Sequence, residues 1–319
     1  MRRCPQCGSS FRGTPARCPL DGAPLAEGGD PRLGREVGPW RLVETLSEGR
    51  LATVYRAARG ELEGALKLYE ATAPLRRGRQ EAESLGRVQH ASVARLLDAG
   101  ETERGEPYLV TELVKGRSLR ARLTEGPLPW RQALRLAAAM ADGLEAVHGA
   151  GLVHRDLKPE NVMLVGATPT RADGVKLLDL GHALVLDVAR LTESGMVWGS
   201  APYMSPEQAA GLPVDRRSDL YALGVMVYEL VVGRRPFEAR SPMELMQLHW
   251  TQAPTPPARV ARVPEPLSEL CLWLLAKRPE ARPPSARVVA AACRGLEAEP
   301  FEEELGRATR GARLEGTHA

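Results

Sequence analysis

The chain has 319 residues, of which 43% are hydrophobic and 26% are charged. This length suggests two structural units, or one large domain with an appendage, and the composition is that of a folded protein. Lysine and arginine number 43 against 40 acidic residues, and the net charge of +3 is too even for a nucleic-acid-binding surface. We therefore expect no nucleic acid partner.

Membrane insertion is also not expected. No stretch offers the roughly 20 uninterrupted apolar residues that span a bilayer. The most apolar run, from Leu220 to Val232, contains Glu229 and follows Asp219. The amino terminus lacks the apolar stretch of a secretory signal. The sequence thus predicts a cytoplasmic protein without a membrane span.

Three of the five cysteines lie in residues 1–29, which have neither helical nor strand periodicity. Cys4 and Cys7 are separated by two residues, and the same knuckle returns at Cys18 with Asp21 in the second ligand position. This spacing resembles a zinc ribbon, and both thiolates and carboxylates bind Zn²⁺. It predicts a zinc-ribbon-like module with one structural zinc on these four residues. A metal-free degenerate knuckle and a redox-active dithiol remain as alternatives.

Modules of this kind resemble regulatory or interaction attachments, so we expect a partner protein for it. Residues 30–37 are interpreted as a linker to the rest of the chain. The other two cysteines, Cys271 and Cys293, stand in apolar surroundings. In a reducing compartment, such cysteines are expected to pack in the core.

Short β-type runs separated by glycines extend from Trp40 to Tyr69 and predict a small antiparallel meander. A helix is predicted to follow over about residues 78–88. Two further strands are predicted over 93–99 and 108–113.

The rest of the chain has mainly helical periodicity. Residues 130–148 place apolar side chains along one face of a helix. Ser218 is expected to cap an apolar helix that ends at Val232. Further helices are predicted over 243–250, 267–275 and 285–296. The charged residues 297–319 are expected to form a flexible tail.

Three motifs in the second half of the chain point to one chemistry. They are HRDLKPEN at residues 154–161, DLG at 179–181 and SPE at 205–207. Their order and spacing resemble those of the bacterial eukaryotic-like Ser/Thr protein kinases, over about residues 37–296. The resemblance implies an α+β, bilobal protein kinase fold over residues 38–296, with a β-rich N-lobe and an α-rich C-lobe. It also implies ATP-dependent phosphorylation of Ser and Thr in protein substrates, including autophosphorylation in signalling.

The resemblance assigns roles to individual residues of the second half. Phosphoryl transfer needs positioned oxygens and neutralised phosphate charge more than covalent chemistry. By resemblance, Asp156 accepts the proton of the substrate hydroxyl and Lys158 contacts the transferred phosphate. Asn161 and Asp179 hold Mg²⁺ through hard oxygen ligands.

On the nucleotide side, the resemblance implies that Lys67 reaches the α- and β-phosphates of ATP. Glu81 on the following helix would hold Lys67 as an ion pair, although its neighbour Glu83 competes for that role. The other implied nucleotide-binding residues are Ser47, Gly49, Ala52, Val54, Ala65, Thr111, Glu112 and Val114. The family loop G-x-G-x-x-G-x-V falls on residues 47–54, where only the middle glycine is present. We therefore expect a lower affinity for nucleotide.

The remaining motif residues are given structural or regulatory roles by the resemblance. Glu207 and Arg282 are expected to form an ion pair, and Asp219 to fix the backbone of the 154–161 loop. His154 is expected to be a packed structural residue. Arg155 would pair with a phosphorylated residue of the activation segment, and the candidate phosphosites are Thr192 and Ser194.

Two rival functions are weighed against this interpretation. A pseudokinase that binds nucleotide or partner proteins is favoured only by Ser47 and Ala52 in the degenerate glycine loop. A small-molecule kinase shares parts of the 154–161 motif. It is disfavoured by the SPE motif and the recognisable activation segment, which serve peptide binding.

Overall fold

In the computed structural model the described residues are 2–3, 10–11, 17, 30–49, 52–70, 82–83, 85–166, 174–180 and 201–300. They fall into two compact units. The first unit holds the described residues up to Lys115, together with Leu180. The second holds the described residues from Gly116 to Asp179 and from 201 to 300.

The first unit is a β structure. Two short strands, β1 (Arg2–Arg3) and β2 (Ser10–Phe11), pair antiparallel. The other strands form one six-stranded antiparallel sheet in the order β3-β4-β5-β6-β8-β7. They are β3 (Glu36–Val37), β4 (Trp40–Glu48), β5 (Ala52–Arg59), β6 (Leu62–Tyr69), β7 (Leu96–Glu101) and β8 (Pro107–Glu112). The predicted meander is therefore confirmed.

Successive side chains of a strand point to opposite faces, so alternate residues of these strands are buried on one face of the sheet and form its core. Tyr55, Leu66 and Val110 are fully buried, and so is Trp40. The indole Nε1 of Trp40 donates to Asp98 Oδ2 at 2.7 Å. A buried indole N–H needs such a partner, and Asp98 supplies it.

Two elements of this unit differ from the prediction in extent. Residues 82, 83, 85 and 86 are helical, and the helix ends before residue 88. The strand predicted from residue 93 begins at Leu96 instead. The backbone N–H of Val93 donates to the carbonyl oxygen of His90 at 3.1 Å, so Val93 closes a turn.

The second unit is mainly helical. It contains a three-stranded antiparallel sheet of order β11-β10-β9. Its strands are β9 (Arg117–Ser118), β10 (Val162–Leu164) and β11 (Val175–Leu177). Its helices are α1 (Leu119–Leu123), α2 (Trp130–Gly149), α3 (Pro206–Ala209), α4 (Arg216–Val232), α5 (Pro242–Thr251), α6 (Glu265–Leu274) and α7 (Ala286–Ala298).

Helix α4 lies at the centre of this unit, since every residue from Ser218 to Val231 is buried. The prediction that Ser218 caps the helix is wrong: the cap is Asp215, whose carboxylate accepts from the N–H of Arg217 at 2.7 Å. The hydroxyl of Ser218 instead donates to the buried carboxylate of Glu207. Because α4 is buried all round, its polar side chains must find partners inside the protein.

Both cysteines of this unit pack in its core, as the sequence predicts. Cys271 and Cys293 are buried free thiols on α6 and α7. Burial raises the pKa of the Cys293 thiol to about 12, so this thiol stays protonated at neutral pH. In the part of the chain that the structure describes, no helix is both long and apolar enough to cross a membrane.

Candidate active site

The 154–161 loop brings three of the predicted catalytic side chains together. Lys158 Nζ donates to Asp156 Oδ2 at 2.7 Å. Asn161 Nδ2 donates to the backbone oxygen of Asp156 at 2.8 Å and to its Oδ2 at 3.2 Å. Asp156 is 7% exposed, so its carboxylate is held by charged and polar donors in a largely buried position. Such contacts fix the orientation of a carboxylate before substrate arrives.

The backbone that carries Asp156 is strained, and the structure shows what holds it. Arg155 has a φ of 65°, a left-handed conformation that is uncommon for a side chain of this size. Asp219 on α4 accepts from the N–H of Arg155 through Oδ1 and from the N–H of His154 through Oδ2, both at 2.8 Å. The expected role of Asp219 as the anchor of this loop agrees with these contacts.

A second anchor was not found from the sequence. Gln208 on α3 donates through Nε2 to the backbone oxygen of Arg155 at 2.8 Å. Gln208 also forms a capping box with Ser205 at the start of α3. The signal in the sequence was the spacing from Ser205 to Gln208, which is that of a capping box. Both backbone groups of Arg155 are thus bonded to side chains from other elements.

Two histidines support the same loop. His148 at the end of α2 lies with Nε2 2.8 Å from Asp219 Oδ2. His154 is fully buried, with Nε2 3.0 Å from the backbone oxygen of Leu178. The packed role expected for His154 is confirmed, whereas His148 was not singled out from the sequence. Its position in the last turn of α2, 71 residues before Asp219, gave no local signal.

The two residues expected to hold Mg²⁺ flank one strand pair. Asn161 directly precedes β10 and Asp179 closely follows β11, and these strands pair with Val162 opposite Leu177. The N–H of Leu178 donates to the backbone oxygen of Asn161 at 2.8 Å. Asp179 has a φ of 55°, a second left-handed residue of the described chain that is not glycine.

These two residues fit a hard metal ion. Asp179 offers carboxylate oxygens. Within the described chain, both side-chain hydrogen bonds of Asn161 use its Nδ2, which leaves the carboxamide oxygen for coordination. Oxygen ligands of this type are those that Mg²⁺ takes in proteins. In the residues described, no group of three or more His, Cys, Asp or Glu side chains forms a metal site.

On the first unit, the strand register gathers the predicted nucleotide-binding residues on one face of the sheet. Val54 pairs with Ser47 on one side and with Lys67 on the other. Ala65 pairs with Thr111. Residues directly opposite each other share a face, and so do residues two apart along a strand. The residues that share this face are Ser47, Ala52, Val54, Ala65, Lys67 and Thr111.

The turn between β4 and β5 keeps the one glycine of the family loop. The N–H of Gly49 donates to the carbonyl oxygen of Ala52 at 3.0 Å. A Cβ at Gly49 would lie 3.0 Å from that same oxygen. Gly49 is not among the residues with positive φ. A close backbone approach, not a left-handed conformation, therefore favours glycine at this position.

Of the two residues expected to bind adenine through their backbone, Glu112 is already hydrogen-bonded within the protein. The N–H of Glu112 donates to the backbone oxygen of Arg95 at 2.9 Å. The carboxylate of Glu112 accepts from the N–H of Arg95 at 3.0 Å. For Val114, no backbone hydrogen bond is found within the described residues.

Glu83, the alternative to Glu81 as the ion-pair partner of Lys67, is helical and exposed. Glu81, Thr192, Ser194, Cys4, Cys7, Cys18 and Asp21 lie outside the described residues.

The predicted ion pair between Glu207 and Arg282 is confirmed. The guanidinium Nη1 and Nη2 donate to Glu207 Oε1 and Oε2, both at 2.7 Å. Arg282 also donates to the backbone oxygens of Arg217, Ala276 and Lys277. Burial acts to raise the pKa of Glu207, but the charge and hydrogen bonds of Arg282 outweigh it and lower that pKa. Both side chains are almost completely buried.

Arg120 on α1 forms a further contact with the candidate catalytic loop. Its Nε donates to Glu160 at 2.8 Å and its Nη1 to Glu229 of α4 at 3.0 Å. It also donates to the hydroxyl of Tyr203. Arg120 thus connects α1 to the turn between Lys158 and Asn161. No local pattern in the sequence indicates this role, because the partners come from three distant segments.

Comparison with known proteins agrees with this geometry. A family model described as the protein kinase domain matches residues 40–292. The serine/threonine-protein kinase pkn3 of Myxococcus xanthus is 36% identical over 286 residues, which cover 85% of this chain and 52% of that protein. The probable serine/threonine-protein kinase PknB of Corynebacterium glutamicum is 38% identical over 67% of this chain and 34% of its own length.

A third relative has a more specific name. The DNA damage-responsive serine/threonine-protein kinase RqkA of Deinococcus radiodurans is 37% identical over 80% of this chain and 39% of its own length. The chain spans between about a third and a half of these curated relatives. With the family model matching most of its length, the chain belongs to the protein kinase family. The relatives to which it is similar are named bacterial serine/threonine-protein kinases.

Proposed function

We propose that the protein transfers the γ-phosphate of ATP to Ser and Thr hydroxyls of other proteins and of itself, in bacterial signalling. The observation that carries this proposal is the arrangement around Asp156. Lys158 and Asn161 hold its carboxylate, while Asp219 and Gln208 fix the strained backbone next to it. A carboxylate held in this way is suited to accept a proton from a substrate hydroxyl.

The other residues would supply charge and position. Asn161 and Asp179 would hold Mg²⁺, which when bound neutralises phosphate charge. Lys158 brings a cation next to Asp156, where the transferred phosphate would meet the acceptor. Lys67 stands on the face of the first sheet that gathers the other nucleotide-binding candidates. The backbone of Val114, which makes no hydrogen bond within the described residues, supports adenine binding just after β8.

The pseudokinase remains the alternative, and it rests on Ser47 and Ala52 in the glycine loop. Both residues are small, and the close turn at Gly49 is present. Lys67, Asp156, Asn161 and Asp179 are all present as well. We therefore favour an active enzyme with reduced affinity for nucleotide.

The test is phosphorylation by the purified chain with labelled ATP, Mg²⁺ and a generic basic protein. Wild-type protein should form phosphoserine and phosphothreonine, and Asp156→Asn and Lys67→Met should each abolish the signal. Asp142→Asn and Lys115→Met are matched controls, since Asp142 pairs with Arg294 away from the loop and Lys115 is exposed. Activity that persists in both site variants would contradict the proposal. Nucleotide binding without transfer by wild type would favour the pseudokinase.

We also propose regulation by phosphate on Thr192 or Ser194. The support is Arg155, whose Nε is buried and has no hydrogen-bond partner among the described residues. A phosphate carries about −1.5 to −2 charges at pH 7 and would satisfy such a donor. Mass spectrometry should find phosphate on one of the two residues, and their double Ala variant should phosphorylate other proteins more slowly. An unmodified segment in fully active enzyme would contradict this.

Finally, we propose that residues 1–29 form a zinc-ribbon-like module that binds a partner protein, with Zn²⁺ on Cys4, Cys7, Cys18 and Asp21. The support is the pairing of β1 with β2, in which Arg2 lies opposite Phe11 and Arg3 opposite Ser10. Cys4 directly follows β1, so the connection between the strands contains the whole Cys-x₂-Cys pair. A short hairpin of this kind is a suitable frame for two thiolate ligands.

A further inference from the structure

The segment that leads into the kinase domain is bonded to the sheet that carries Lys67. The N–H of Gly34 donates to the backbone oxygen of Leu42 at 2.8 Å, and the N–H of Leu42 returns a bond to Arg35 at 2.9 Å. Asp30 accepts from the N–H of Arg32 through Oδ1 at 2.8 Å, which closes a turn at the start of the segment. Residues 30–35 therefore have a defined conformation against β4.

Two side-chain contacts extend this attachment across the sheet. Tyr55 in the middle of β5 donates to Asp30 Oδ2 at 2.5 Å, although the tyrosine is fully buried. Arg32 donates from Nη1 and Nη2 to the two carboxylate oxygens of Glu70, at 3.0 and 2.9 Å. Both side chains of this second pair are only about a quarter exposed. A two-pronged guanidinium to carboxylate contact of this kind fixes orientation as well as distance.

Both attachment points adjoin Lys67. Glu70 directly follows β6 and lies three residues after Lys67. Tyr55 pairs with Leu66, and its neighbour Val54 pairs with Lys67. By the alternation of the strands, Tyr55 and Leu66 share one face of the sheet, and Lys67 with Val54 share the other. Residues 30–35 therefore contact the sheet on the face opposite to the one that carries the Lys67 side chain.

We infer that residues 30–35 act as a clamp that positions Lys67 for nucleotide, with Arg32 and Asp30 as positioning residues. The clamp restrains β6 at Glu70, and restrains β5 at Tyr55 beside the cross-strand partner of Lys67. Loss of the Arg32–Glu70 or the Asp30–Tyr55 contact lets β6 shift. The ammonium group of Lys67 is then less often in position to bind the phosphates of the nucleotide. Affinity for nucleotide then depends on the stretch that joins the cysteine-rich front to the kinase domain.

This inference rests on the proposed nucleotide site, so the experiment separates the two. Affinity of the full chain for a nonhydrolysable ATP analogue with Mg²⁺ is measured by calorimetry, together with thermal stability. Arg32→Ala, Glu70→Ala and Tyr55→Phe should each weaken binding by about fivefold, and the Arg32→Ala, Glu70→Ala double variant should be no weaker than either single variant. The charge exchange Arg32→Glu with Glu70→Arg should restore part of the affinity.

Arg56→Ala is the matched control, because Arg56 pairs with Glu44 and Glu63 on the same sheet without touching the segment. Its affinity should equal that of wild type. Lower thermal stability with unchanged affinity in the Arg32 and Glu70 variants would overturn the clamp, and so would independent, multiplying effects of the pair. Should Arg32→Ala fail to fold, Arg32→Lys keeps the charge without the two-pronged contact and must show the same loss of affinity.

Lys67→Met distinguishes the clamp from the proposed function. If Lys67→Met weakens binding while the clamp variants do not, the clamp fails and the nucleotide site stands. If wild type binds no analogue, both are overturned.

Discussion

The side-chain amide of Gln208 donates a hydrogen bond to the backbone oxygen of Arg155 at 2.8 Å. Asp219 holds the N–H of the same residue at 2.8 Å. Arg155 has positive φ, and such a conformation costs about 1–3 kcal/mol and persists only where the surroundings impose it. The catalytic candidate Asp156 is the next residue, so its position depends on these two contacts from α3 and α4.

Replacing Gln208 should therefore lower catalysis more than nucleotide binding. In Gln208→Ala the carbonyl of Arg155 loses its donor, and we expect kcat to fall roughly tenfold because a small displacement of a reacting group is costly. KM for ATP should change little. Gln247→Ala on the exposed side of α5 is the control and should behave as wild type. A variant with unchanged kcat would show that the position of Asp156 does not depend on Gln208.

The buried pair of Glu207 and Arg282 makes a prediction about stability. Arg282→Met leaves the Glu207 carboxylate buried without its cation, which should lower the free energy of unfolding by about 3–5 kcal/mol. Arg294→Met removes an exposed partner of Asp142 and should cost at most about 1 kcal/mol. Urea denaturation measures both. Equal losses in the two variants would contradict the argument from burial.

The candidate site was predictable from the sequence where its residues are close together along the chain. Asp156, Lys158 and Asn161 lie within one motif, and the structure brings their side chains into contact. The β-type runs between Trp40 and Tyr69 likewise predict the strand that carries Lys67. These features depend on local spacing, so no knowledge of distant contacts was needed.

The sequence was least informative where a side chain acts on a distant segment. Gln208 bonds a carbonyl 53 residues away, and His148 meets Asp219 across 71 residues. Serine is a common helix cap, but the hydroxyl of Ser218 donates to the buried carboxylate of Glu207, which needs a hydrogen-bond donor. Contacts of this kind follow from tertiary packing, which overrides the local preference of a residue.

His249 on α5 leads to a prediction about acid stability. Burial, assisted by the charges of Lys277 and Arg235, lowers the pKa of His249 to about 3. The histidine is thus neutral in the fold, and this contributes stability that is present above the unfolded pKa of about 6.5 and lost as pH falls from there towards 3. Between pH 6.5 and 5 this loss should be about 2 kcal/mol.

The comparison uses two variants measured by urea denaturation at several pH values. His249→Phe should lose less stability than wild type between pH 6.5 and 5. Trp250→Phe changes an exposed residue next to His249 that does not titrate, so it should keep the wild-type acid response. Parallel curves for wild type and His249→Phe would rule out the histidine as the cause.

The last prediction concerns the metal proposed for the front of the chain. Residues 1–29 contain few apolar side chains, so a fold there would depend on metal binding for its stability. Protein purified without added metal should contain close to one zinc per chain by elemental analysis. Cys7→Ser and Cys18→Ser should lose it, because a hydroxyl is a poor substitute for a thiolate. Cys293→Ser is the control, since that thiol is buried in the helical unit.

Asp21→Ala is the most informative variant of this series. A water molecule can replace a carboxylate ligand, so this variant should retain a weakened site that releases zinc at lower chelator concentration than wild type. Phosphorylation should survive chelation in part, because none of the four ligands belongs to the kinase motifs and Mg²⁺ is supplied separately. Zinc-free protein whose front segment still resists proteolysis would instead favour the metal-free knuckle.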